Sequence, residues 1–271
     1  MKVSRIPVFL ILFISILTNA QEQKFLKQVQ LSFLPEQVSV NRLGGIYLFG
    51  SESLIQFDAD GKITEIREGF QKSKPVIFEA WNPLRIWLYD GSSSKFHVKL
   101  LDHFFEDVLP PLAIDSALAI EPIAIIPGND NHTAWVLDLD YSLKFIELLN
   151  NKILAESEPI FERDSKLPEL QFRAHQGFLF VLVKGKEILV INKTGKIIKK
   201  IKAPEATWIG VLGEDIYYHR PGKLTFTDIY TGDSYDVSVS SSAEFVLATD
   251  ERIFEIENLK LRISAFKPKQ Q

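Results

Sequence analysis

Cysteine is absent from the 271 residues. That excludes disulfides, and it excludes a lipid anchor on a processed N-terminal cysteine. Methionine occurs once. The five histidines, His97, His103, His132, His175 and His219, are scattered and form no dense metal-binding spacing. No Gly-x-Ser-x-Gly elbow, P-loop or Gly-x-Gly-x-x-Gly is present, and the absence of a Ser-x-Asp-x-Gly-x-x-Trp box weakens a glycosidase reading. The chain shows no basic run or basic–aromatic stripe, so nucleic acid is not an expected partner.

One apolar run stands out. Ile6–Leu17 follows Lys2 and Arg5 and precedes Thr18-Asn19-Ala20, with small residues where a signal peptidase needs them. Twelve residues are too few to span a bilayer comfortably as a helix. The expectation is a signal peptide over 1–20, a mature chain over 21–271 with no transmembrane anchor after cleavage, and a periplasmic or extracellular location. Without disulfides, the mature chain must rely on its hydrophobic core, which about 250 residues can supply. Hydrophobic residues make up 46% and phenylalanine alone contributes 20, a composition suited to pleated, half-buried surfaces.

What the chain has in quantity is a repeat. Phe178-Leu179-Phe180-Val181-Leu182 aligns on its central aromatic with five other segments. The aromatics Tyr47, Trp87, Trp135, Phe180, Tyr217 and Phe254 recur at 40, 48, 45, 37 and 37 residues, the period of a four-stranded propeller blade. An apolar segment precedes each copy and another follows it, joined by turn residues such as Asp60-Gly61, Asn150-Asn151, Thr194-Gly195 and Thr231-Gly232-Asp233. Asp58-Ala-Asp-Gly61 opens like a calcium loop but lacks its remainder, so it reads as a hairpin turn. Asn192-Lys193-Thr194 fits a glycosylation sequon but sits where a turn is needed.

These features predict an all-β fold: six four-stranded antiparallel blades over about 36–69, 75–109, 121–158, 169–203, 206–240 and 243–266. The sixth lacks an outer strand, and the spare N-terminal segment 25–33 supplies it and closes the ring. Seven blades would require another element in Val108–Ala119. The chain thus resembles the broad family of six-bladed β-propellers, such as the NHL-repeat and TolB-like proteins. That resemblance implies a ligand- or protein-binding scaffold, or, alternatively, a calcium-dependent lactonase-type hydrolase.

Two groups of residues are candidate sites. Glu36, Glu121, Glu169, Glu205 and Glu244 stand near the start of the inner strands, with Lys74-Pro75 in their place in blade two. Around one opening they would form a negative funnel for a basic partner or for calcium, the one cofactor they could hold. Glu79, Arg173 and His175, with Arg42, fall further along the inner strands, toward the channel and its other mouth. The long connections Val108–Pro122 and Ala155–Pro168 lie on the face of the glutamates. No residue is expected to be catalytic. The reading is a non-enzymatic binding module for an envelope or extracellular protein, peptide or glycan.

Overall fold

The computed structural model describes residues 23–50, 52–69, 77–90, 97–109, 112–113, 118–119, 121–128, 132–162 and 167–269. The expected signal segment and Lys74-Pro75 lie outside the described residues, as do parts of both long connections. Six four-stranded antiparallel sheets form a ring. The strands, a (innermost) to d, are Gln37–Val40, Ile46–Gly50, Ser53–Phe57 and Ile63–Glu68 in blade one; Ile77–Glu79, Ile86–Asp90, His97–Leu101 and Leu112–Ala113 in blade two; and Pro122–Pro127, Thr133–Asp138, Leu143–Glu147 and Lys152–Glu156 in blade three. They continue as Leu170–His175, Phe178–Val183, Glu187–Ile191 and Ile197–Lys202 in blade four, and Trp208–Leu212, Asp215–Arg220, Lys223–Asp228 and Ser234–Ser238 in blade five. Blade six contributes Phe245–Ala248, Arg252–Glu257 and Lys260–Ala265, and Lys24–Gln30 is its strand d. The Val108–Ala119 region supplies the short strand d of blade two, so the count is six.

Ring closure follows the expected plan with shifted ends. Lys24 pairs with Ala265 and Gln30 with Lys260, while Leu31 has left the strand, its N–H donating to Leu259 O at 2.8 Å. Each inner strand packs beside the inner strands of both neighbouring blades, blade six meeting blade one.

The six repeat aromatics are all buried and form the packing between blades. Tyr47 meets Phe78 and Phe105 of blade two edge-on, at 6.4 and 6.0 Å between ring centroids. Trp87 Nε1 donates to Ile125 O of blade three at 3.1 Å.

The c-to-d turns are fixed by Asp or Asn. Asp58 Oδ1 accepts from the N–H groups of Asp60 and Lys62 at 3.0 and 2.8 Å, and Asn192 Oδ1 accepts from those of Thr194 and Lys196 at 3.1 Å. Gly61 and Gly195 close these two turns at φ +72° and +78°, a region that suits glycine. The Asp58–Gly61 carboxylate is therefore spent on its own turn.

Deleting Lys24–Gln30 should lower the melting temperature by at least about 5 °C, on a scale of 2–4 °C per kcal/mol for a domain of this size. It should also lift amide-exchange protection along Lys260–Ala265 first. Calorimetry and hydrogen exchange check both; unchanged protection there would refute closure by this strand.

Candidate functional site

Strand a crosses the ring from the face carrying the d-to-a connections to the face carrying the a-to-b turns. Side chains near its start surround one channel mouth, and those near its end surround the other.

The first mouth is a cavity of about 260 Å³ whose lining includes Glu36, Glu169 and Glu244, with Gln171, Lys184 and Thr207. Glu121 and Glu205 do not line it, although both are exposed. In blade three a bulge between Pro122 and Ala124 displaces the entry to strand a. In blade five Glu205 sits in a turn at φ +62°, ahead of Trp208. Glu169 is ion-paired to Lys184. Among the described residues no group of three or more His, Asp or Glu is placed to hold a metal ion.

The second mouth is a cavity of about 280 Å³. Glu79, Arg173 and His175 meet here, while Arg42 lies in an adjoining hollow of about 220 Å³ that also shares Trp81. Glu79 belongs to blade two and Arg173 to blade four. Their side chains, 20% and 12% exposed, approach across the channel at 3.8 Å between Oε2 and Nε. Charges this withdrawn from water need partners for every remaining polar atom. Glu79 Oε1 accepts from Ser39 Oγ at 2.9 Å and from the Trp81 N–H at 3.0 Å, while Arg173 Nη1 donates to Phe172 O at 2.8 Å. The guanidinium also stacks on Trp208, 4.6 Å from the ring centroid. Arg173 and Trp208 line both cavities, so this cluster lies between the two mouths.

Aromatic residues wall the second mouth. Trp87, Trp208 and Tyr217 are buried, and Trp81 stands at the rim, 40% exposed. His175 Nε2–H donates to Gly213 O at 2.8 Å, and its ring meets Trp81 edge-on at 6.4 Å. Gln176 extends the rim toward blade five, accepting from Tyr230 Oη–H at 2.8 Å. The neighbouring a-to-b turns expose Leu43 and Leu84, 75% and 58%. Sequence reasoning found the charged residues here but not the tryptophans. Trp81 follows directly on Glu79-Ala80, and a tryptophan inside a polar turn was the available signal.

Tyr217 shows how tightly this wall is built. Gly210, opposite it on strand a, leaves the space that its ring occupies: a Cβ there would fall 2.2 Å from Cζ. Its Oη accepts from the Ala248 N–H of blade six at 3.2 Å. Burial pushes its pKa up to about 12; the Ala248 bond and the Arg173 charge oppose the shift, and the Glu79 charge adds to it. Tyr235, on the outer side of blade five, is also pushed up to about 12, first by burial and then by Asp215.

No protein-family model and no curated protein matches the chain. Solved structures with a similar fold do exist. BamB from Moraxella catarrhalis is 10% identical, with 90% of this chain and all of that one covered, at a TM-score of 0.51. A catalytically inactive virginiamycin B lyase from Staphylococcus aureus with quinupristin is 14% identical over the same shares, at 0.56. A chain of a mitotic checkpoint complex is 8% identical over 99% of both chains, at 0.59. At these identities the likeness establishes the β-propeller fold.

Gly210→Ala should destabilise the protein by about 1–3 kcal/mol through overpacking against Tyr217. Replacing Tyr217 by a smaller apolar residue in the same chain should recover part of that loss in denaturant unfolding. In a spectrophotometric titration, Tyr217 and Tyr235 should ionise last, near pH 12. Because both folded values lie above the ordinary value of 10, the stabilisation from keeping these phenols neutral is complete below pH 10 and disappears as the pH rises toward 12. Tyr217→Phe should shrink that alkaline loss.

Proposed function

We propose that this chain is an exported, non-enzymatic β-propeller that binds a protein or peptide partner of the cell envelope, with the second mouth as the contact surface. The observation that carries the reading is the character of that mouth. Its charged groups are spent on one another across the channel, whereas Trp81 at its rim and Leu43 and Leu84 on the neighbouring turns are exposed. Tryptophan and arginine in a walled pocket with an apolar rim are the composition of binding hot spots. The Glu79 carboxylate, engaged by Arg173, Ser39 and the Trp81 N–H, is poorly placed to act as a general base, which needs a free polar atom within reach of substrate.

The fold itself is neutral on this choice, since similarly folded chains include a lyase and a member of a checkpoint complex. Export rests on the residues before Gln21, and the envelope setting follows from it. The alternative reading, a calcium-dependent lactonase-type hydrolase with its site at the central channel, would need several oxygens converging on the ion, with the glutamates of the first mouth among them. There Glu169 is already engaged by Lys184.

A Trp81→Ala/Leu84→Ser variant should keep the melting temperature and lose a specific envelope partner, with affinity reduced a hundredfold or more, as loss of a hot-spot residue produces. Glu36→Gln/Glu169→Gln/Glu244→Gln should retain it. Isothermal titration with the purified partner reads both variants. The opposite pattern would move the contact to the first mouth, and chelator-sensitive turnover of a lactone panel would overturn the binding-only reading.

A further inference from the structure

A concentration of one charge lies on blade four, reaching the first mouth only at Lys184. Residues 184–202 contain seven lysines and one acidic residue, Glu187, in a chain whose formal net charge is −4. The lysines alternate with apolar and turn residues, so the sequence shows no run, but folding aligns them. Lys184 and Lys186 occupy the b-to-c turn of blade four, and Lys202 lies opposite Glu187 at the same end of the blade. Lys200 lies further along strand d, opposite Leu189, and Lys193 and Lys196 flank the c-to-d turn at the far end. Strand d has six residues, so the stripe runs about 20 Å from face to face.

Six of the seven are exposed, and Lys199 is half-buried, donating to Ile229 O at 3.2 Å. Lys184 is held by Glu169, and Lys186 sits 3.9 Å from Glu187. The ammonium groups of Lys193, Lys196, Lys200 and Lys202 make no hydrogen bond or ion pair among the described residues. Ile198, 51% exposed, stands among them.

Lysine on an outer strand also protects an open sheet edge from pairing with other chains. No equivalent strand of the other blades carries more than two lysines. Blade one has ITEIRE and blade three KILAE, mixed in sign, blade five SYDVS, with one acid, and blade six KFLKQVQ, with two lysines. Blade four has three on the strand and four more in the adjoining turns, more than edge protection uses elsewhere in the ring.

We propose that the outer edge of blade four docks on an anionic phospholipid headgroup surface. The stripe holds lysine and no arginine, so it lacks the planar fork that builds a specific phosphate or carboxylate pocket. It holds no aromatic residue on which a base could stack. Freely rotating point charges along a convex edge, with one exposed aliphatic side chain among them, match a diffuse negative surface. Lysines near such a surface each raise binding roughly fivefold.

The test is co-sedimentation of the full chain with phosphatidylcholine vesicles and with vesicles that also contain phosphatidylglycerol. The N-terminal segment, with Lys2 and Arg5 beside the apolar stretch Ile6–Leu17, is common to every variant, so the readout is how the ratio between the two vesicle types changes from one variant to the next. The wild type should favour the anionic vesicles by an order of magnitude or more at low salt, and lose that preference as salt rises. Lys193→Gln/Lys196→Gln/Lys200→Gln/Lys202→Gln should abolish the preference. Lys24→Gln/Lys62→Gln/Lys152→Gln/Lys260→Gln, with the same change in net charge, should keep most of it. Circular dichroism confirms that both variants are folded. Equal binding to the two vesicle types, equal loss in the two variants, or stripe-dependent binding to duplex DNA tighter than to vesicles would each overturn the proposal.

Discussion

The inner strand of every blade has one edge paired with strand b and one edge left open toward the neighbouring blade and the channel. Backbone N–H and C=O groups on that open edge need partners, since burying them unpaired costs about as much as losing a hydrogen bond outright. Side chains of the preceding blade supply them. Ser39 Oγ accepts from Ala80 N–H, Trp87 and Tyr89 donate to Ile125 O and Pro122 O, Gln171 Oε1 accepts from Ile209 N–H, and Tyr217 Oη accepts from Ala248 N–H. These bonds fix how far one blade sits from the next. The repeat aromatics are therefore more than bulk: two of them, Trp87 and Tyr217, carry a polar tip that reaches across to an open edge. The same geometry brings Glu79 and Arg173 within reach of each other across the channel.

From that constraint the two mouths acquire different characters. Where the inner strands begin, exposed carboxylates stand at the opening and one is held by Lys184. Where they end, tryptophans and a self-satisfied ion pair form a wall. A pocket whose charges are already paired with one another is suited to holding a shape rather than to moving a proton. This is the physical basis of the proposal that a partner contacts that mouth.

Much of the architecture was legible because a propeller repeats its local pattern. The aromatic of each strand b, the turn residues and the missing last strand together specified six blades and their closure. Strand d of blade two, only Leu112–Ala113, carries no pattern of its own and could not be read. The site was legible in part. Glu79, Arg173 and His175 were placed by alternation along strand a, but Trp81 and Trp208 lie more than 120 residues apart and become neighbours of one cavity only through ring closure. The glutamates looked equivalent in sequence, yet a bulge in blade three and a left-handed residue in blade five take two of the five off the mouth. The lysines of blade four were hidden by their spacing: alternation, which signals a strand, breaks up what would otherwise have read as a basic run.

The pairing of Lys24–Gln30 with Lys260–Ala265 also imposes an order in time. Chains are made from the N-terminus, so this first strand emerges long before its partner exists. Its side chains are mostly exposed even in the finished blade, so it gains little by collapsing alone. The loop that must close around it spans more than 200 residues, and contacts of such high sequence separation form late. The ring thus behaves as a latch whose two halves are the first and last strands of the propeller: five blades can assemble, but the sixth cannot be completed until Lys260–Ala265 is available. A ring built this way cannot reach its most stable state until Lys260–Ala265 has been made and has found its partner.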